Sequence, residues 1–174
     1  MMKAVLRLTL ILALTPAVYA QRINLDFPGL ADKAREVVDV TLDGALLRLG
    51  ARFLSDHDAD ERAVRQMVDR LEGIYVRSYE FDRDDAYDRS AIDAVRKQLG
   101  PNWKRVVTVR SKLRENVEIY TELRGENIVG LVVIAAEPRE LTIVNLVGPI
   151  DLDKLANLEG QFGIPRVSKK GERP

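Results

Sequence analysis

The stretch from Gly130 to Asp151, GLVVIAAEPRELTIVNLVGPID, carries the strongest strand pattern in the chain. Two runs of β-branched and other apolar residues flank Pro138, and proline there is typical of a turn rather than of a strand interior. The pattern therefore predicts two antiparallel strands at the centre of a sheet, and because both strand faces are largely apolar, we expect both to be covered. Asn145 lies among the apolar residues, and its burial would require hydrogen-bond partners.

Two further runs, WKRVVTVRS from Trp103 and NVEIYTELR from Asn116, precede this pair. In the second run Val117 and Ile119 alternate with polar residues such as Glu118, which predicts a strand with one face exposed to water. Short turns separate all four runs, so together they predict a four-strand antiparallel meander.

The first half of the chain combines helical periodicity with one or two strands. Apolar residues at helical spacing predict a helix that begins at Asp58 or Asp60 and ends near Leu71, and another over about 88–99. Between them, IYVRSYEF at residues 74–81 predicts a strand.

Residues 30–54 allow two interpretations. Their apolar residues fit one continuous helical stripe, but VVDVTL at residues 37–42 alternates and is β-branched, and such residues resist helix formation. We prefer a short helix, a strand over about 37–42 and a helix over about 44–54, with one continuous helix as the alternative.

Together these patterns predict a single α+β domain over residues 21–166. Its antiparallel sheet comprises the C-terminal four-strand meander plus one or two N-terminal strands, with helices packed mainly on one face. The second apolar face then needs a cover, which the N-terminus, a last short helix after Asp151 or a second copy in a homo-oligomer would supply. The polar, basic residues 167–174 are expected to be a disordered tail.

Residues 1–20 have the form of a secretory signal peptide. Lys3 and Arg7 precede an apolar run, and Val18-Tyr19-Ala20 places small residues where a signal peptidase reads them. We expect cleavage after Ala20 and a periplasmic or secreted location. The apolar run is shorter than the about 20 residues that a bilayer needs, so we expect no stable membrane insertion after cleavage.

Composition excludes several classes of partner and cofactor. Removal of residues 1–20 leaves 25 basic and 27 acidic side chains, and this near-neutral balance argues against binding to nucleic acid. The chain has no cysteine and a single histidine, His57, so a zinc site with three N or S ligands cannot be assembled. We therefore expect no cofactor and no metal.

Two acidic loops and one pair of glutamates are the remaining candidates for chemistry. The loops at residues 55–61 and 80–90 lack the glycine and the final glutamate of a calcium-binding EF-hand loop. We interpret them as helix caps and solvated charges, with weak calcium binding as the alternative. Glu137 and Glu140 flank a turn whose exposure argues against acid–base catalysis, and Arg139 is expected to pair with one of them. No catalytic residue is therefore predicted.

Several motifs are shared with a known family. They are VDVTLD at 38–43, YVRSYEF at 75–81, AEPREL at 136–141 continuing to VGPID at 147–151, and LEGQFGIP at 158–165. By these motifs the chain resembles the bacterial domain-of-unknown-function family 4252, whose members are uncharacterised exported proteins. The resemblance covers nearly all of the expected mature chain, and it implies export and a strand followed by a helix near residue 40. It implies no particular chemistry.

Aromatic side chains around an arginine are the best candidates for a binding surface. Tyr75, Arg77, Tyr79 and Phe81 share one face of a predicted strand, and Tyr120 lies on the polar face of another. Aromatic residues beside arginine recur at recognition surfaces, and half-buried packing against a helix is the alternative. We therefore expect a non-enzymatic module of the bacterial envelope that binds an envelope protein or a small ligand through a sheet face. A carboxylate-based hydrolase acting on a cell-wall or sugar substrate is the alternative function.

Overall fold

The structure is a computed structural model, and it describes residues 22–84, 86–111 and 116–151. Within these residues it contains four helices and six strands. In chain order they are α1 (Pro28–Ala31), β1 (Glu36–Asp43), α2 (Gly44–Ala51), α3 (Ala59–Val68), β2 (Gly73–Glu80), α4 (Ser90–Gln98), β3 (Trp103–Val109), β4 (Asn116–Arg124), β5 (Asn127–Ala136) and β6 (Glu140–Ile150).

All six strands form one antiparallel sheet in the order β1-β2-β6-β5-β4-β3. The hairpin of β5 and β6 occupies the two central positions, as its doubly apolar pattern predicts. Strands β3 to β6 form the predicted meander, and β1 and β2 are the two N-terminal strands. The α+β class and the antiparallel sheet are therefore confirmed.

Residues 30–54 adopt the helix–strand–helix arrangement rather than one continuous helix. The β-branched run enters the sheet as β1, where each of its residues pairs with β2. Asp43 then ends the strand and begins α2, because its Oδ1 accepts hydrogen bonds from the N–H groups of Ala45 and Leu46, both at 2.9 Å. Asp58 caps α3 in the same way, accepting from Glu61 N at 3.0 Å.

One face of the sheet, here called the α4 face, carries the larger core. Buried side chains of α4 and of residues 22–34 cover it: Ala91, Ile92 and Val95 from the helix, and Ile23, Leu25 and Leu30 from the N-terminal part. Beneath them lie Tyr79 of β2, Val132 and Ile134 of β5, and Leu141 and Ile143 of β6. These strand residues alternate with those on the opposite face, as the pleat requires.

The opposite face, the α2–α3 face, is covered over part of its area. Leu47 of α2, together with Val68 at the end of α3 and Leu71 shortly after it, packs against side chains from one end of the sheet: Ile74, Leu131 and Leu146. Towards the other end the cover stops, and valines of the edge strands are exposed. Within the described residues, both faces of the central hairpin are thus apolar, but only the α4 face is fully covered.

The remaining predictions about chain organisation concern residues beyond these ranges. The signal peptide at 1–20, the last short helix after Asp151 and the basic tail at 167–174 lie outside the described residues. In the described ranges, none of the helices has the length and apolarity needed to cross a membrane.

Candidate functional site

Residues 22–27, the N-terminal segment, cross the α4 face over β6 and β2. Asn145 of β6 is fully buried, and its Oδ1 accepts a hydrogen bond from Ile23 N at 3.0 Å. The hydroxyl of Tyr79 donates to Leu25 O at 3.0 Å and accepts from Phe27 N at 3.1 Å. The requirement that a buried Asn145 be hydrogen-bonded is met, and the asparagine serves to hold this segment against the sheet.

A cleft lies between the N-terminal segment and the strands β1 and β2. Its volume is about 370 Å³, within the range of small-molecule pockets. The polar and aromatic residues that line it are Arg22, Asn24, Asp26, Asp39, Thr41, Tyr75 and Arg77. β1 is an edge strand, so this cleft lies at the border of the sheet rather than in the core.

Arg77 is the central polar residue of the cleft. Its Nη1 lies 3.0 Å from Asp39 Oδ2, and its Nη2 lies 3.8 Å from Asp26 Oδ1. The side chain is only 19% exposed, and its Nε is buried without a hydrogen-bond partner in the described part of the chain. Buried donors in native proteins are normally paired, so this Nε is an exception within the described residues.

Charges in the cleft are balanced. The guanidinium of Arg22 stacks over the ring of Tyr75, with Cζ 4.1 Å from the ring centroid, a cation–π arrangement. Two arginines and two aspartates therefore line the same cavity. Because these charges cancel, the cleft favours an uncharged polar or zwitterionic group over a simple anion or cation.

The predicted aromatic face divides between the cleft and the core. Tyr75 and Arg77 line the cleft, but Tyr79 and Phe81 are 0% and 1% exposed and belong to the core of the α4 face. Burial raises the pKa of the Tyr79 hydroxyl, whose hydrogen bonds support the cleft wall from behind. The ring of Phe81 stacks on Tyr87, with centroids 5.0 Å apart.

A family model for a domain of unknown function (DUF4252) matches residues 32–158. The chain belongs to this family. The match spans all six strands of the DUF4252 sheet and ends seven residues beyond the last described residue, Asp151. Neither a curated protein nor a solved structure gives a significant match.

Tyr120 of the DUF4252 sheet lies away from the cleft, in a network that fastens α4 to β4. Its hydroxyl donates to Glu118 Oε2 at 2.6 Å, and Arg96 of α4 donates to the same carboxylate through Nε at 3.0 Å and Nη2 at 2.5 Å. The Arg96 guanidinium lowers the pKa of Glu118, and burial raises the pKa of Tyr120. The carboxylate is therefore held ionised in a structural role.

Aspartates in the two acidic loops of this DUF4252 chain form ion pairs with arginines. Asp56 lies 2.5 Å from Arg65 Nη1, and Asp84 lies 2.5 Å from Arg139 Nε. The expectation that Arg139 pairs with a glutamate of its own turn is wrong, because the turn lies beside the loop that carries Asp84. Within the described ranges, no three His, Asp or Glu side chains come together as metal ligands would.

Sequence reasoning missed three of the cleft residues, Arg22, Asp26 and Asp39. The path of the N-terminal segment depends on contacts with residues 52 to 122 positions away, which periodicity does not reveal. Asp39 faces Arg77 only because β1 and β2 pair in one register. The available signal was Asp39 itself, a charged residue in the middle of a β-branched strand. Such residues often pair with an opposite charge on the neighbouring strand.

Proposed function

We propose that this protein is a non-enzymatic binding module of the bacterial envelope, whose cleft takes an uncharged or zwitterionic ligand with a hydrogen-bond acceptor. The amide carbonyl of a short peptide has this chemistry. The observation that carries the proposal is the buried Nε of Arg77, which finds no acceptor among the described residues and belongs to a side chain that lines the cleft. An acceptor delivered by a ligand would satisfy it without a change in the charge of the site.

The carboxylates of the cleft favour binding over hydrolysis. A general acid needs a carboxyl group that is shielded from water so that its pKa rises. Asp26 and Asp39 have side chains that are 63% and 52% exposed, and both lie beside the Arg77 guanidinium. A hydrolase acting on a sugar or cell-wall substrate would need a better shielded pair than these two.

Calorimetric titration with N-acetyl-trialanine amide, an uncharged peptide, tests the proposal. The Arg77→Lys variant should bind it at least about tenfold more weakly, equivalent to about 1.4 kcal/mol, because lysine has a methylene carbon, with no N–H to donate, in the place of Nε. Arg35→Lys is the matched control, since Arg35 is an exposed residue that pairs with Glu80 outside the cleft. Equal affinity of the parent and the Arg77 variant would contradict the assignment.

The hydrolase alternative is tested with oligomers of N-acetylglucosamine. Prolonged incubation with the mature protein should leave them intact, as chromatography of the products would show. Release of shorter oligomers, abolished by Asp39→Asn, would instead support hydrolysis in the same cleft.

Envelope location is tested separately, because binding in the cleft does not depend on it. Mass spectrometry of the periplasmic fraction should detect a chain that starts at Gln21, as the predicted cleavage after Ala20 requires. Full-length chain recovered from the membrane pellet would overturn the export prediction.

A further inference from the structure

A row of β-branched apolar side chains crosses the whole α2–α3 face. Each strand contributes one residue, and each is paired with the next in the ladder register: Val40, Val76, Val144, Val133, Ile119 and Val107. At about 4.8 Å between neighbouring strands, this β-branched row is about 24 Å long.

The β-branched row is only partly covered by the described residues. Five of its six members are half-buried, and Val107 at the edge is 37% exposed. Val109 and Val38, which lie on the same face one step further from α2 and α3, are 49% and 42% exposed. An apolar strip that crosses six strands is the kind of surface that proteins cover with another element.

Twenty-three residues of the chain follow Asp151, and β6 ends beside the helices that cover part of this face. Ile150, the last residue of β6, packs in the same cluster as Leu47 and Leu71. The family match continues to Leu158, so the domain of this family includes the start of this segment.

The sequence of this segment suits an apolar cover. Leu152, Leu155, Leu158 and Phe162 recur at intervals of three or four residues, the spacing of one face of a helix. Residues 152–163 as a helix would extend for about 18 Å, comparable to the length of the row.

We propose that residues 152–163 dock on the β-branched row as an amphipathic helix and complete the core of the α2–α3 face. The docked segment places its leucines on the row and leaves polar residues such as Lys154 and Asn157 towards solvent. Covalent attachment gives the segment an effective concentration of the order of millimolar at the row, so it prevails over a second copy of the chain at micromolar protein.

The absence of native cysteine allows a direct test by labelling with a maleimide. Val107→Cys places a thiol in the row, and Val37→Cys is its matched control. Val37 also lies on an edge strand and is 38% exposed, but its side chain is on the α4 face of the sheet. Each variant is made in the full mature chain and in a chain that ends at Asp151.

The thiol of Val107→Cys should react at least about tenfold faster in the shortened chain, and that of Val37→Cys at the same rate in both. Equal rates for Val107→Cys in the two chains would overturn the proposal. Protection that grows with protein concentration and persists in the shortened chain would also overturn it, in favour of a second copy.

A second pair of variants tests the docking of residues 152–163 in the full chain, in case the shortened chain does not fold. In the full chain, Leu155→Glu combined with Leu158→Glu should accelerate labelling of Val107→Cys as truncation does. Asn157→Glu, on the opposite side of the segment, should leave the rate unchanged. Equal rates in the leucine variant and the parent would contradict the docking.

Discussion

Val132→Asp tests whether the centre of the sheet is dry on the α4 face. Val132 lies on β5 in a central position, its side chain is 0% exposed, and it belongs to the same cluster as Ile134 and Ile143. Aspartate at this position would lie among apolar side chains, with the neutral Tyr120 and Asn145 as its direct cross-strand neighbours.

The cost follows from two terms. Loss of a fully buried valine removes about 1.5–3 kcal/mol of hydrophobic stabilisation. The carboxyl group then adds about 1–3 kcal/mol, because its neutral neighbours offset only part of its desolvation penalty. We therefore expect the free energy of unfolding to fall by about 2.5–6 kcal/mol, a large part of the 5–15 kcal/mol of a typical domain.

Urea denaturation followed by circular dichroism measures this change. Val133→Asp is the matched control, since it makes the same substitution one residue further along β5, on the half-buried α2–α3 face. It should cost about 1–2 kcal/mol in a chain that ends at Asp151, where water reaches the new carboxylate. It should cost about 3 kcal/mol in the full chain, where the proposed docking of residues 152–163 covers this face. A Val132→Asp variant within about 1 kcal/mol of the parent would refute the assignment of a dry central layer.

Four further substitutions concern two glycines with positive φ, the α4 anchor and the cleft. Gly148 has φ +122°, and a Cβ there would lie 2.8 Å from Glu72 N, so Gly148→Ala should cost at least about 3 kcal/mol in urea unfolding. Gly125→Ala, at φ +60° in open space, should cost about 1–2 kcal/mol. Glu118→Gln should cost about 1.5–3 kcal/mol at neutral pH. Because the folded state lowers the pKa of Glu118, this difference from the parent should shrink as the pH falls below the ordinary glutamate value of about 4.3, and a difference independent of pH would contradict it. Asn145→Leu should cost about 2 kcal/mol and weaken ligand binding in the cleft, because the N-terminal segment loses its buried acceptor; unchanged binding by calorimetry would disprove that link.

Much of the sheet could be predicted because its signals are local. Pro138 and the apolar runs on either side define β5 and β6, and their doubly apolar character places them at the centre. The β-branched run at 37–42 forms a strand although residues 30–54 also carry a helical stripe of apolar side chains. Branched side chains disfavour a helix, and pairing with β2 stabilises the strand.

The cleft could be predicted only in part because it depends on distant contacts. β2 pairs with β6 more than sixty residues away, and this pairing buries Tyr79 against Leu141 while Tyr75 remains at the edge of the cleft. Alternation assigns Tyr75, Arg77 and Tyr79 to one face, but it does not show which of them the N-terminal segment will cover. Tyr120 also lies on the α4 face. Its hydroxyl donates to Glu118, the carboxylate that binds Arg96 of α4, so Tyr120 helps to fasten the helix and does not line the cleft.

The most direct test of the proposed function is the ¹H–¹⁵N signal of the Arg77 Nε–H group, assigned by its loss in Arg77→Lys. Titration with N-acetyl-trialanine amide should shift this signal in proportion to the bound fraction, because the ligand supplies the acceptor that the described chain does not. The Nε–H signal of Arg35, outside the cleft, should stay in place. Saturation of binding with the Arg77 signal unmoved would contradict the account.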